Sequence, residues 1–270
     1  MFLPENIDLG HSEKYVLSIR IKPNGFMFSI YEPDNGKSYC LRETTFSDED
    51  DQLNNIQRIV FELNFLTQEF KQTNVVVVSK DYELVPAIYF DKKNKEELYD
   101  FSHMNKSGHV VTGLIENQDV ITLFDLETET FEFLTRNLWN PRFFHHSNLI
   151  INHFEKRDKF NTNRSKMYIN LHDSMMDIVC FSGRELVHCL TYENEPTANQ
   201  IYFILKLWEK FAFNQQEDYL YIAGKVIDDL LIEKLQLYIR NIERLNTPSE
   251  IHFWTEDAHK APLDLLYLSL

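Results

Sequence analysis

The sequence predicts a mixed α/β protein in which one unit, β-β-β-α-β-α-β, occurs twice. Three observations carry this. Alternating apolar and polar residues mark three strands near the start of each half. An amphipathic helix follows each set. Each helix then leads into a short continuous apolar run, Asn74–Ser79 and Tyr219–Ala223, of the kind buried on both faces in a parallel sheet.

In the first half, Tyr15–Ile21, Phe26–Tyr31 and Lys37–Glu43 read as strands, with turns at Pro23-Asn24-Gly25 and Asp34-Asn35-Gly36. A helix is expected from about Glu49 to Lys71, with Leu53, Ile56, Ile59, Val60, Leu63 and Leu66 on one face and Ser47 as its N-cap. After Asn74–Ser79 come a helix near Lys92–Phe101 and a strand at Arg142–Phe144.

The second half repeats the order. Lys166–Leu171, Met176–Phe181 and Glu185–Tyr192 are the strands, the last two joined at Ser182-Gly183. Pro196-Thr197 opens a helix carrying Ile201, Ile204, Leu205, Trp208 and Phe211. Tyr219–Ala223, a helix near Val226–Ile239 and a strand at Glu250–Trp254 complete it. Position 18 maps to 170 and 20 to 172, a shared offset of 152.

The first half carries more. A hairpin, His109–Leu114 with Val120–Phe124, and a helix near Glu127–Asn137 read as an insertion at about 103–140. The polar stretch Glu155–Ser165 reads as a linker, dividing the chain into residues 1–160 and 161–270.

Composition bounds the function. The 270 residues carry a net charge of −15 and a pI near 5.1, which disfavours nucleic acid and anionic membrane surfaces. A hydrophobic fraction of 43% and an aromatic fraction of 14% exclude a disordered chain. Only 7 glycines occur, where average usage predicts about nineteen, so phosphate-cradling loops are scarce. No apolar run nears the ~20 residues of a membrane span, and the start has no leader pattern. Cys40, Cys180 and Cys189 show no metal-ligand spacing. A hairpin register with Cys180 facing Glu185 and Cys189 facing Met176 separates the last two by ~13 Å, so buried cytoplasmic thiols are expected.

Tyr-Val-Leu-Ser-Ile-Arg-Ile at 15–21, Glu-Leu-Val-Pro at 83–86, Met-Tyr-Ile-Asn-Leu-His-Asp at 167–173 and Tyr-Ile-Ala-Gly-Lys at 221–225 lie within the duplicated order. That order is the signature of the ribonuclease H-like, actin-like ATPase superfamily. The chain resembles a small uncharacterised bacterial family with a degenerate actin-like ATPase fold. More distantly it is similar to pilus- and division-associated members. The resemblance implies two ribonuclease H-like halves facing each other across a cleft. It also implies an Asp-x-Gly turn after the first strand of each half, handling metal or water and admitting phosphate. The matching positions hold Ser18 and Arg20, then Asn170 and His172. The paired-glycine adenosine loop is reduced to Gly224, flanked by Ala223 and Lys225.

All three signature loops are therefore degenerate, and the expectation is a pseudo-ATPase: a non-catalytic scaffold or protein-interaction module without a cofactor. Its partner would be another protein or a second copy. The competing reading is a divergent enzyme binding or hydrolysing ATP with Mg, recruiting Asp173 or Asp177. Ser18, Arg20, Asn170, His172, Gly224 and Lys225 are the candidate cleft residues, able to hold an anion if the cleft is open. Arg20 equally suits an internal pair with Asp173 or Asp177 that blocks the cleft.

Other clusters read as structural. The first and fourth strands lack the interior carboxylates of a two-metal nuclease. His145, His146 and His153 lack HExxH spacing and read as polar edges of a helix capped at Ser147. Asp48-Glu49-Asp50-Asp51 lacks EF-hand alternation and suits a first helical turn. Phe61, Phe65, Phe70, Trp208, Phe211 and Phe213 exceed one helical stripe and supply core volume, or else an aromatic surface for a partner.

Overall fold

The computed structural model describes residues 7–34, 38–103, 108–115, 117–157, 163–193, 196–224, 228–245 and 255–269. Its elements run β1 (Val16–Lys22), β2 (Gly25–Tyr31), β3 (Tyr39–Thr45), α1 (Gln52–Glu62), β4 (Gln72–Val77), β5 (Tyr82–Pro86) and α2 (Lys95–Asp100). There follow β6 (His109–Ile115), β7 (Val120–Leu126), α3 (Thr128–Asn137), β8 (Pro141–His145) and α4 (His146–Arg157). The remainder is β9 (Lys166–His172), β10 (Met175–Ser182), β11 (Glu185–Glu193), α5 (Thr197–Lys210), β12 (Tyr219–Gly224), α6 (Asp229–Leu235), β13 (Asn241–Arg244), α7 (Glu256–His259) and α8 (Leu263–Tyr267).

The duplication is present in the strand order itself. One sheet runs β3-β2-β1-β4-β8 and another β11-β10-β9-β12-β13. In each, the first three strands form an antiparallel meander, and the fourth and fifth run parallel to the first. This is the expected mixed α/β topology, twice. A smaller sheet, β5-β7-β6, belongs to the first half.

Contacts divide the chain into Met1–Leu149 with Pro248–Leu270, and Ile150–Thr247. The reading from sequence put the division at 160 and gave the C-terminal stretch to the second half. In the second unit α5 and α6 cover one face of the sheet. Ile204, Leu207, Trp208, Leu231 and Leu235 pack with Met167, Ile169, Leu171, Met176 and Ile178. The odd-numbered residues of β9 thus serve this core, as the period of two requires.

Several expectations shift. The first helix ends at Glu62, nine residues early, and a 3-10 turn at Asn64–Thr67 carries the chain to β4. Its N-cap is Asp51, whose carboxylate accepts from the Asn54 N–H at 2.7 Å; Ser47 instead receives the Glu49 N–H. The small sheet starts at Tyr82, before the expected insertion, because β5 pairs with β7. There α2 packs Tyr99 against Val110 and Leu123, so this helix serves the small sheet rather than the repeat. The repeat's second helix is α3, which meets α1 through Phe133 and Phe61, as α6 meets α5.

The fifth strand of the second sheet is β13; the expected strand at 250–254 lies outside the described residues. Glu155–Arg157, expected in the linker, close helix α4. Cys180 faces His188 and Cys189 faces Val179, with a bulge after Cys180, so the thiols lie nearer than the expected register gave. Neither is in a disulfide, nor is Cys40, and all three are buried. Phe70, Trp208 and Phe213 are buried, which settles them as core, while Phe61 is exposed. Among the described residues no helix is long and apolar enough to cross a membrane.

Candidate functional site

The turn after the first strand of each sheet is the place to test the chemistry. β1 pairs with β2 up to Lys22 opposite Gly25, and β9 with β10 up to His172 opposite Met175. The hairpin ends therefore match Lys22 with His172 and Arg20 with Asn170, two residues away from the sequence-derived offset. Period-two alternation hid the difference, because a shift of two keeps every side chain on its face.

In the first unit, Arg20 is 1% exposed. Its Nε donates to Asp264 Oδ2 at 2.7 Å, and Asp264 is equally buried. The expected partners were Asp173 or Asp177; among the described contacts within its own unit, Arg20 pairs with a carboxylate on α8. Packing explains the choice. Leu265, beside Asp264, joins Met27, Val76 and Leu149 on the sheet face, and Arg20 lies between Met27 and Val76 in the strand register. A guanidinium under that apolar cover requires a buried anion, since desolvation without one costs several kcal/mol.

The same C-terminal segment dresses the sheet's outer edge. Thr255 Oγ1 donates to the Tyr39 carbonyl at 2.8 Å, and the Leu41 N–H donates to Asp257 at 3.1 Å. Asp257 also pairs with Arg42 at 2.7 Å. Ser18 is occupied too: Asn74 Nδ2 donates to its Oγ at 3.0 Å, and Gln72 Nε2 donates to Asn74 Oδ1 at 2.6 Å.

In the second unit a different network fills the corresponding place. Asp177, 1% exposed, accepts from Asn170 Nδ2 at 3.0 Å and Thr191 Oγ1 at 2.8 Å. His172 Nε2 lies 2.7 Å from the same carboxylate, and its Nδ1 lies 3.0 Å from Asp173. Asp173 adopts a left-handed φ of 48°, a conformation Asp tolerates in turns. Asn170, His172, Asp173 and Asp177 are thus brought together, with Thr191 added from β11.

Gly224 ends β12 at φ 126°. A Cβ there would lie 2.2 Å from the Leu171 carbonyl oxygen, so close approach of β12 to β9 demands glycine. Lys225 lies outside the described residues. The following helix begins with Asp228 as N-cap, its carboxylate accepting from the Leu230 N–H at 3.0 Å. A side-chain carboxylate thereby takes an N–H that an anionic ligand would use.

His145 and His146 are fully buried rather than polar helix edges. Ser79 Oγ and His145 Nε2 stand 3.2 Å apart, the spacing of a nucleophile and its base. His145 Nδ1 lies 2.7 Å from Ser147 Oγ and 3.3 Å from the Ser147 nitrogen, and Ser79 Oγ donates to the Asp81 carbonyl at 3.1 Å, so both polar edges of the ring are engaged within the fold.

Asp264 was the residue that reading the sequence missed. The signal was there: a lone carboxylate inside Pro-Leu-Asp-Leu-Leu-Tyr-Leu at 262–268. A single acid in an apolar run calls for a buried cation.

No curated protein matches the chain closely. Among solved structures it is similar to a Bacteroides thetaiotaomicron protein with an actin-like ATPase fold and unknown function. That likeness has 26% identity and a TM-score of 0.83, covering 97% of this chain and 98% of the other. It is also similar to a chain of the PilM-PilN type IV pilus biogenesis complex, at 14% identity and a TM-score of 0.58, covering 94% and 97%. The fold is therefore actin-like. The profile of the proteins of unknown function called DUF3822 matches residues 4–242, and the chain belongs to that family.

Proposed function

We propose that the protein is a non-catalytic scaffold or interaction module that keeps the actin-like fold without ATP and Mg chemistry. The carrying observation is the buried Arg20–Asp264 pair at 2.7 Å. It commits the one cation of β1's interior to the chain's own C-terminal segment. The second unit supports the same reading, because its carboxylate, amide and imidazole are bonded to one another. Its partner is another protein or a second copy; a net charge of −15 weighs against nucleic acid. A neighbour of this fold is a component of the PilM-PilN complex, a precedent for the scaffold role alone. We place the protein in the cytoplasm, a reading supported by three buried cysteines kept as thiols rather than disulfides.

A phosphate-release assay with Mg·ATP, paired with thermal shift against ATP, ADP, phosphate and sulfate, tests this. The expected result is no turnover above background and no stabilisation at millimolar concentration. Turnover that disappears in Asp173→Ala overturns the scaffold reading in favour of an enzyme.

A further inference from the structure

A pocket of about 270 Å³ opens at the carboxyl ends of β1 and β4 in the first unit. Topology puts it there. After β1 the chain turns through β2 and β3 on one side of the sheet; after β4 it reaches β8 on the other. Strands whose connections leave in opposite directions part at their carboxyl ends, and open α/β sheets bind ligands in that crevice.

Ile21, Val77 and Leu126 supply apolar walls, and Asp81, Asp125 and Glu127 supply charge, while among the described residues no cation lines the space. Two of the acids are held in place. Asp125 accepts from the Tyr99 hydroxyl at 2.8 Å and the Gly108 N–H at 3.3 Å, and Glu127 accepts from Thr130 Oγ1 at 3.1 Å. A carboxylate offers about four acceptor positions, so each retains capacity for a ligand. The Tyr99 hydroxyl is pushed well up by burial and then by Asp125, Asp81 and Glu83, a sign of the negative field beside the pocket. Such a field repels phosphates and carboxylates. The volume equals roughly nine waters, far more than a bare metal ion fills.

We propose that this pocket binds a small organic ammonium compound. Its alkyl stem lies along Ile21, Val77 and Leu126, and its charged head is met by Asp81 and Glu127. Apolar walls with a few convergent polar groups are the usual composition of a small-molecule site. The inference is independent of the scaffold reading, since the pocket involves neither Arg20 nor the Asp177 network.

Thermal shift and calorimetry on the full chain with n-butylammonium test it, with n-butyrate and n-butanol as controls. The expected result is a Tm rise of several degrees as butylammonium approaches a hundredfold excess over its Kd. Butyrate gives none and butanol gives less. Asp81→Asn combined with Glu127→Gln weakens binding about tenfold or more, since both side chains are exposed and charge-assisted contacts are lost. Asp81→Asn alone serves if the double variant does not fold. No shift up to tens of millimolar, an equal shift with butyrate, or unchanged affinity in the variants overturns the proposal.

Discussion

Arg20 and Asp264 stand 244 positions apart in sequence and 2.7 Å apart in space, both at 2% side-chain exposure or less. The pair joins the centre of the first sheet to the last helix. Breaking one member leaves an uncompensated buried charge. Asp264→Ala is therefore expected to destabilise the first unit by about 3–5 kcal/mol, and Arg20→Met with Asp264→Leu to recover most of that loss. Urea unfolding of the single and double variants measures both.

The second-unit network predicts a similar vulnerability without a fixed cation. Asp177→Ala removes the acceptor shared by Asn170, Thr191 and His172. Leaving buried donors unsatisfied costs about 1–3 kcal/mol each, with partial relief from water. A loss of about 3 kcal/mol by urea unfolding is expected, against a smaller one for Asp177→Asn, which keeps an oxygen acceptor. Equal stability of the alanine variant and the parent removes the network from any structural account.

Gly224→Ala is expected to destabilise strongly for two additive reasons. Its φ of 126° is unfavourable for an L side chain, and the new Cβ would meet the Leu171 carbonyl carbon and oxygen within 3.0 Å. Because the obstacle is backbone, β12 must move away from β9. A fall in Tm of well over five degrees is the expected measurement, whatever ligand is present.

The strand order was legible because β4 and β12 carry apolar runs that only a central parallel position buries, while alternation marks the meander strands beside them, β1 and β9 included. Boundaries were less so. Leu63 and Leu66 fit the helical stripe of α1, yet the chain leaves the helix at Leu63 with ψ 59° to place Leu66 and Phe70 in the core. The strand Tyr82–Pro86 was masked by its Pro and by pairing only with the distant β7. The site was half legible. Asn170, His172, Asp173 and Asp177 are neighbours through one hairpin, so local register brings them together. Arg20 meets Asp264 through a tertiary contact that no periodicity encodes. The offset of 152 failed because the two hairpins end at different points of the same alternation.

Acid stability supplies the last test, through His188 on β11. Burial, followed by the nearby Lys210 charge, lowers its pKa from the ordinary 6.5 to about 4. Its Nε2 has no hydrogen-bond partner among the described residues, and its ring packs 5.5 Å from that of Phe211. The folded state therefore holds the neutral ring, while the unfolded chain takes a proton below about pH 6.5. Between about 6.5 and 4 the unfolded state binds more protons, so stability falls as pH falls through that window and levels off below it. A full shift of this size would be worth about 3 kcal/mol, and solvent access to the ring reduces it to about 2 kcal/mol or less. His188→Phe keeps an aromatic ring against Phe211 and removes the titration. The difference between the two unfolding free energies, measured from pH 7.5 to 4 at constant ionic strength, is expected to widen in favour of the variant as pH drops. A flat difference curve would show that His188 is as readily protonated in the folded chain as in the unfolded one.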